Sequence, residues 1–392
     1  MKKIVGPLLF AAALTAPLMA QYDIVSSPTR VEVRNQYFNV VSDGGSYDAE
    51  TICREMELRF DVYNRLFRFN PAALSGPLKV VAFSNKADYD SYVMSKLGSI
   101  RDGAVYLHYS QPDRRELVVN RGSPEEARML PHQAFIQFIR AFIPYPPSWM
   151  REGFAIYFNT LKFDPETREL SYEENLSWLE TVKSMGMRQA SLESVFLADI
   201  NGMPEYFQPI SWSIVSFFLN SGGNGDYFRA ITESFMLLSP AKSAGENSEL
   251  VLNRLTNWNS LETLHTDYNN YIASRKTFVE LIEAGQQAYT ARDLENSEAY
   301  FLAAMYQKPT HYAPYYYLGL LAYDKNEYDI AETYYITALQ YGADSALVKY
   351  ALGINAATAG KNEEALAYLE EAVLESPERY KERAESIMTR LR

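Results

Sequence analysis

Two stretches of the chain, His132-Gln133-Ala134-Phe135-Ile136 and Trp149-Met150-Arg151-Glu152-Gly153-Phe154-Ala155-Ile156-Tyr157, stand on either side of Pro144, Pro146 and Pro147. Proline has no N–H to donate and clashes with the preceding turn, so these prolines separate two helices. The first is predicted over residues 123–143, with Ser123 as N-cap and Pro124 at the first helical position. The second starts at a Ser148 cap and runs to about residue 159. His132 and Ile136 lie one turn apart on one face of the first helix, while Gln137 is turned about 100° away. Phe135, Ile136 and Ile139 form an apolar stripe at helical spacing, which predicts packing into a core.

Outward from this pair, short strands are expected at residues 37–41, 78–83, 104–109 and 116–120, the last two joined by Gln111-Pro112-Asp113. Helical spacing marks residues 49–69 and 87–97 and, after the second stretch, 176–185, 210–220, 227–238 and 249–255. Strands come early and helices late, which predicts an α+β domain. The acidic run 169–174 reads as solvated surface. Gly222-Gly223-Asn224-Gly225 lacks the Lys and Ser/Thr of a phosphate loop and reads as a turn between helices. No Gly-x-Ser-x-Gly elbow occurs.

The paired stretches resemble the gluzincin metallopeptidases, most closely the bacterial peptidase-MA-like domains. Their pattern is His-Glu-x-x-His on one helix and Trp-x-x-Glu-Gly-x-Ala-x-Tyr on the next. Trp149, Glu152, Gly153, Ala155 and Tyr157 match the second motif in order, and the likeness extends over about residues 35–270, including Ser211-Trp212-Ser213-Ile214-Val215. The resemblance implies a gluzincin-like α+β fold. It also implies a zinc site in which two His four apart and a later Glu hold the ion. The Glu after the first His then takes a proton from bound water. His132 matches the first ligand and Glu152 the third. Gln133 replaces the general base and Ile136 the second His. An amide cannot take that proton, and a hydrocarbon has no lone pair to give. No catalytic residue and no metal are therefore expected; if a metal binds, His132 and Glu152 are its ligands. In the absence of metal these two side chains are expected to hydrogen-bond each other or their neighbours, with Trp149 and Gly153 serving packing. The alternative is a zinc metallopeptidase with a rearranged ligand set, in which His108 is a further donor. A third possibility keeps the cleft as a groove that binds peptide without hydrolysis.

Gly285, Gly319 and Gly353 recur every 34 residues. Twelve residues after each stands Ser297, Ala331 or Ala365, and sixteen after stands Phe301, Tyr335 or Leu369. Nineteen after stands Ala304, Ala338 or Ala372, and twenty-four after stands Pro309, Ala343 or Pro377. Small residues at fixed phase let paired helices approach closely, and proline ends the second helix. The pattern resembles tetratricopeptide repeats, with three units over residues 278–379 and a charged capping helix over 380–392. The resemblance implies an all-α solenoid whose first helices line a concave, peptide-binding face. By phase, that face carries Ile282, Gln286, Tyr289, Tyr316, Leu320, Tyr323, Asp324, Tyr350 and Ile354. Tyrosine combines an apolar body with a polar tip and suits a peptide or a partner's helix, although some of these rings are expected to pack between repeats.

The chain has 392 residues, 37 basic against 49 acidic, which argues against a nucleic-acid binder. Four His and one Cys leave little material for metal or thiol chemistry. Lys2 and Lys3 followed by an uncharged run to Met19 predict a signal peptide over residues 1–20 and no stable membrane insertion after cleavage. The remainder divides into a degenerate peptidase-like domain at 21–275, the repeats and the cap. The lone Cys53 is expected to be a small buried apolar group. Together these readings predict an exported, periplasmic or secreted, non-catalytic scaffold with a protein or peptide partner in the repeat groove.

Overall fold

The computed structural model describes residues 23–26, 30–185, 191–198, 206–222 and 226–392. The expected signal peptide and part of the Gly222–Gly225 turn lie outside the described residues. The chain divides into a unit ending at Ser274 and a unit Arg275–Arg392.

The first unit is α+β. It opens with strands β1 (Asp23–Ser26), β2 (Val31–Arg34) and β3 (Phe38–Ser42), helix α1 (Ser46–Phe67) and strand β4 (Leu78–Phe83). Helix α2 (Lys86–Leu97) and strands β5 (Ala104–Leu107) and β6 (Glu116–Asn120) follow. The six strands form one sheet in the order β1-β2-β3-β4-β6-β5. β4 is parallel to β3 and β6, and the other neighbours are antiparallel. Side chains on β4 alternate faces, as the pleat requires. Val80 and Ala82 join the main core with α1, whereas Val81 and Phe83 join a smaller core with Tyr89 and Val93 of α2. Ile52, Met56, Phe60 and Tyr63 form the buried face of α1, as their spacing predicts, with Cys53 buried among them.

Helix α3 (Glu126–Phe142) starts later than the Ser123 cap predicts. Ser123 Oγ accepts from the Glu125 N–H at 3.2 Å, and Glu126 folds back onto the Gly122 N–H at 2.8 Å while pairing with Arg121. This turn precedes the helix. Helix α4 (Ser148–Phe158) is capped by Pro147 with no side-chain bond, so Ser148 is not the cap; it is buried in the first turn. β7 (Leu161–Asp164) and β8 (Glu169–Tyr172) then form an antiparallel hairpin. The acidic run is therefore partly strand. Glu169 and Ser171 are exposed, while Tyr172 faces inward and stacks on Tyr157. Helices α5 (Ser177–Ser184), α6 (Leu192–Phe196), α7 (Phe207–Asn220), α8 (Asp226–Phe235), α9 (Ala244–Trp258) and α10 (Leu261–Ser274) complete the unit. The sequence reading lacks α6 and α10. In α10 the Ser260 hydroxyl accepts from the Thr263 N–H, and Leu264, Tyr268 and Ile272 are buried at four-residue spacing.

The second unit is all helical: α11 (Phe278–Thr290), α12 (Leu294–Gln307), α13 (Tyr312–Asp324), α14 (Tyr328–Gln340), α15 (Ser345–Thr358), α16 (Asn362–Glu375) and α17 (Pro377–Leu391). The 34-residue phase has a direct physical cause. A Cβ built on Gly285 would meet the Phe301 ring at 2.6 Å, on Gly319 the Tyr335 ring at 2.6 Å, and on Gly353 Leu369 at 2.7 Å. The large residue sixteen positions on thus lies against the bare Cα of the glycine. Ser297, Ala331, Ala365, Ala304, Ala338 and Ala372 are all fully buried. The closing helix starts at Pro377 rather than residue 380, because proline is well placed at the first helical position.

Candidate functional site

Helices α3 and α4 bring His132 and Glu152 together, both largely buried. Their closest atoms, His132 Nε2 and Glu152 Oε2, are 3.8 Å apart, beyond a hydrogen bond. Of the two expected arrangements, a bond to each other or to a neighbour, Glu152 takes the second. It accepts from Arg151, whose Nε and Nη2 both lie 2.8 Å from Glu152 Oε1. Adjacent helical residues do not ordinarily face each other. Here the buried Arg151 guanidinium curls back onto its neighbour. Burial holds the His132 imidazole below its ordinary range, helped by Arg151 and Arg128 and opposed by Glu152.

Gln133, at the expected base position, accepts from the Tyr106 N–H at 3.0 Å through Oε1. Tyr106 lies on β5, the last strand of the sheet, so the amide satisfies a backbone donor on an edge that no other strand covers among the described residues. Ile136 packs against the main core, and Phe135 and Ile139 are fully buried, as the apolar stripe predicts. Gln137 does not reach His132 and Glu152. It is turned onto the sheet, where Nε2 donates to the Lys79 carbonyl at 2.9 Å. His108 follows β5 rather than lying on it and feels the charges of Arg140, Arg115 and Arg151. Among the described residues no group of three His, Cys, Asp or Glu side chains converges to hold a metal ion. His265 is half-buried and pairs with Asn269, and His311 caps α13 by accepting from the Ala313 N–H at 3.2 Å.

Trp149 and Gly153 act in packing. Trp149 is fully buried against Phe196 and Phe218. A Cβ at Gly153 would lie 2.4 Å from the Ser211 carbonyl oxygen, so α4 and α7 cross at backbone contact.

In the helical unit, many of the expected groove residues join successive helix pairs. Gln286 Nε2 donates to the Tyr317 hydroxyl. Burial, together with a hydrogen bond to Asp324, pushes the Tyr289 hydroxyl up to about 12. Arg292 pairs with Asp324 at 2.9 Å. The Tyr323 hydroxyl bonds Thr358 Oγ1 at 3.1 Å, and Tyr350 stacks on Tyr380 of α17 at 4.8 Å. Tyr316 packs edge-on to Tyr317 at 5.5 Å and lies 5.9 Å from the Tyr335 ring. Ile282, Leu320 and Ile354 are half-buried beside them. The partners Tyr317, Arg292, Thr358 and Tyr380 are absent from the sequence reading. Their signal is a separation of 30 to 35 residues from the groove residue each one meets.

No protein-family model matches the chain, and no curated protein matches it.

Proposed function

We propose that the chain is an exported, non-catalytic scaffold. In this reading a peptidase-MA-like (gluzincin-type) domain has lost its zinc chemistry, and a tetratricopeptide-type stack presents a groove to a protein or peptide partner. The observation that carries it is the guanidinium of Arg151 on Glu152 Oε1. A cation already sits on the carboxylate that a zinc ion would need, and the charge of Arg140 also acts on it. Gln133 is engaged by a backbone N–H, and Ile136 gives no lone pair. This donor set, one imidazole and one carboxylate already paired with arginine, does not fit a tetrahedral zinc site.

The repeat phase, the close glycine contacts and the paired helices support the solenoid reading. Half-buried tyrosine rings with tethered hydroxyls form a stiff, amphipathic face, which binds a peptide with little ordering cost. The uncharged run after Lys2 and Lys3 supports export. No helix among the described residues is long and apolar enough to cross a membrane. The net charge of −12 disfavours nucleic acid.

The test is a peptidase assay on the purified full chain across a mixed peptide library, with and without added zinc. No cleavage is expected in either condition. Zinc-dependent cleavage abolished by a chelator and by Glu152→Gln overturns the reading in favour of a metallopeptidase with a rearranged ligand set.

A further inference from the structure

β5 ends the sheet, and among the described residues no strand lies on its outer side. Its inner side pairs with β6 in antiparallel register, Ala104 opposite Val119 and Tyr106 opposite Leu117. In such a pair every second residue exchanges its backbone bonds with the residue opposite, and the residues between point away. The Asn120 N–H donates to the Gly103 carbonyl at 2.8 Å, which fixes the phase. Gly103, Val105 and Leu107 therefore face β6, while Ala104 and Tyr106 turn their N–H and C=O groups to the open side.

An open edge of this kind invites an added strand, from an extended peptide or from a second copy of the chain. Here both outward donors of β5 are already engaged. The Ala104 N–H donates to the Asp102 carbonyl at 2.8 Å, across Gly103 at φ 70°, the geometry of a γ-turn. The Tyr106 N–H donates to Gln133 Oε1 at 3.0 Å, from a half-buried side chain 27 residues on. That amide oxygen stands where the carbonyl of a neighbouring strand would stand. An incoming strand offers N–H and C=O groups in turn. Its N–H groups could reach the Ala104 and Tyr106 carbonyls, but its own carbonyls would meet donors already taken.

We propose that the β5 edge is closed to strand addition and that Gln133 is the side chain that closes it. The amide takes the place of a partner strand, so an extended peptide does not pair with this edge while Gln133 holds Tyr106. The γ-turn at Gly103 is fixed by backbone, whereas the Gln133 contact depends on one side chain and is the one a substitution can open. The inference goes beyond the loss of zinc chemistry and does not depend on it, because it rests on the register of β5 and on two hydrogen bonds.

The test is fluorescence anisotropy on the full chain with a strand-forming probe, fluorescein-Gly-Thr-Val-Thr-Val-Thr-amide, and with the same peptide N-methylated throughout, which donates no backbone bond. Amide exchange of the segment that contains Tyr106 locates any binding. The wild type is expected to treat both peptides alike and to show no added protection at Tyr106. Gln133→Ala is expected to bind the unmethylated probe about tenfold or more tightly than the wild type does, with Tyr106 protected. A concentration-dependent dimer of Gln133→Ala, with that same segment protected, supports the closure equally. Gln133→Glu keeps an acceptor and is expected to stay at the wild-type level. The proposal is overturned if the probe protects Tyr106 in the wild type. It is equally overturned if Gln133→Ala gains neither the probe nor a second copy at this edge, or if Gln133→Glu opens it as fully as alanine does. Should Gln133→Ala fail to fold, Gln133→Ser, whose hydroxyl is too short to reach the strand, takes its place with the same outcomes.

Discussion

The helical unit and the α3–α4 pair use residue spacing in opposite ways. In the helical unit the same contact recurs three times, each a glycine Cα against the large residue sixteen positions on. In the α3–α4 pair each position is used once, and its partner is set by the fold around it. Gln133 meets a strand edge 27 residues back, and Glu152 meets the arginine beside it. A repeated packing demand therefore keeps its meaning in sequence. A position used once carries no such periodic trace, and its partner depends on the fold around it.

The largest effect that probes this comparison is truncation of the aromatic anchor of each region. Trp149→Ala and Phe301→Ala both remove fully buried rings and are each expected to destabilise by about 3–5 kcal/mol. Separate unfolding transitions, followed by calorimetry, should show each variant lowering the transition of its own unit. A change confined to the other unit's transition breaks the comparison.

Glycine variants come next. Gly153→Ala sets a methyl against the Ser211 carbonyl, and Gly319→Ala sets one against the buried Tyr335 ring. Each is expected to cost about 1–3 kcal/mol after the better helix propensity of alanine is counted. Gly153→Ala should be the worse of the two, because its obstacle is backbone. Chemical denaturation of both variants reads the order directly.

Removing the edge-strand acceptor has a smaller effect. Gln133→Leu leaves the Tyr106 N–H without its acceptor at a partly covered site, for an expected loss of about 1–3 kcal/mol. Gln133→Glu keeps an acceptor there and is expected to be close to neutral. Amide exchange at Tyr106 should accelerate in the first variant and not in the second.

The smallest effect is a pH dependence centred on His108. Burial, then Arg140, Arg115 and Arg151, lowers its imidazole to about 4. The folded value lies below the unfolded one, so the unfolded chain binds this proton first. The stability attached to a neutral His108 is therefore complete above about pH 6.5 and is lost as pH falls toward 4. His108→Gln is expected to flatten that part of the stability–pH curve, as measured by unfolding midpoints across the range.

Much of the architecture was legible because packing leaves periodic traces. The α1 face, the apolar stripe on α3 and the repeat phase all follow from side-chain spacing. Strands β1, β2, β7 and β8 were not legible. Each spans four residues with polar side chains among them, too short for alternation to stand out. The start of α3 was misplaced because Glu126, held by Arg121 and the Gly122 N–H, fixes the turn ahead of the helix. At the candidate site, residue type alone showed that Gln133 offers no general base and Ile136 no lone pair. The Arg151–Glu152 pair was not legible, since neighbours along a helix normally diverge. Nor was the bond from Tyr106 to Gln133, which depends on where the sheet ends.

The central claim is that a guanidinium occupies the carboxylate that a metal would need. Zinc titration of the full chain, with elemental analysis of the dialysed protein, tests it most directly. The account predicts no stoichiometric zinc in the wild type and none gained by His132→Ala. One zinc retained per chain, and lost on His132→Ala or Glu152→Gln, contradicts it.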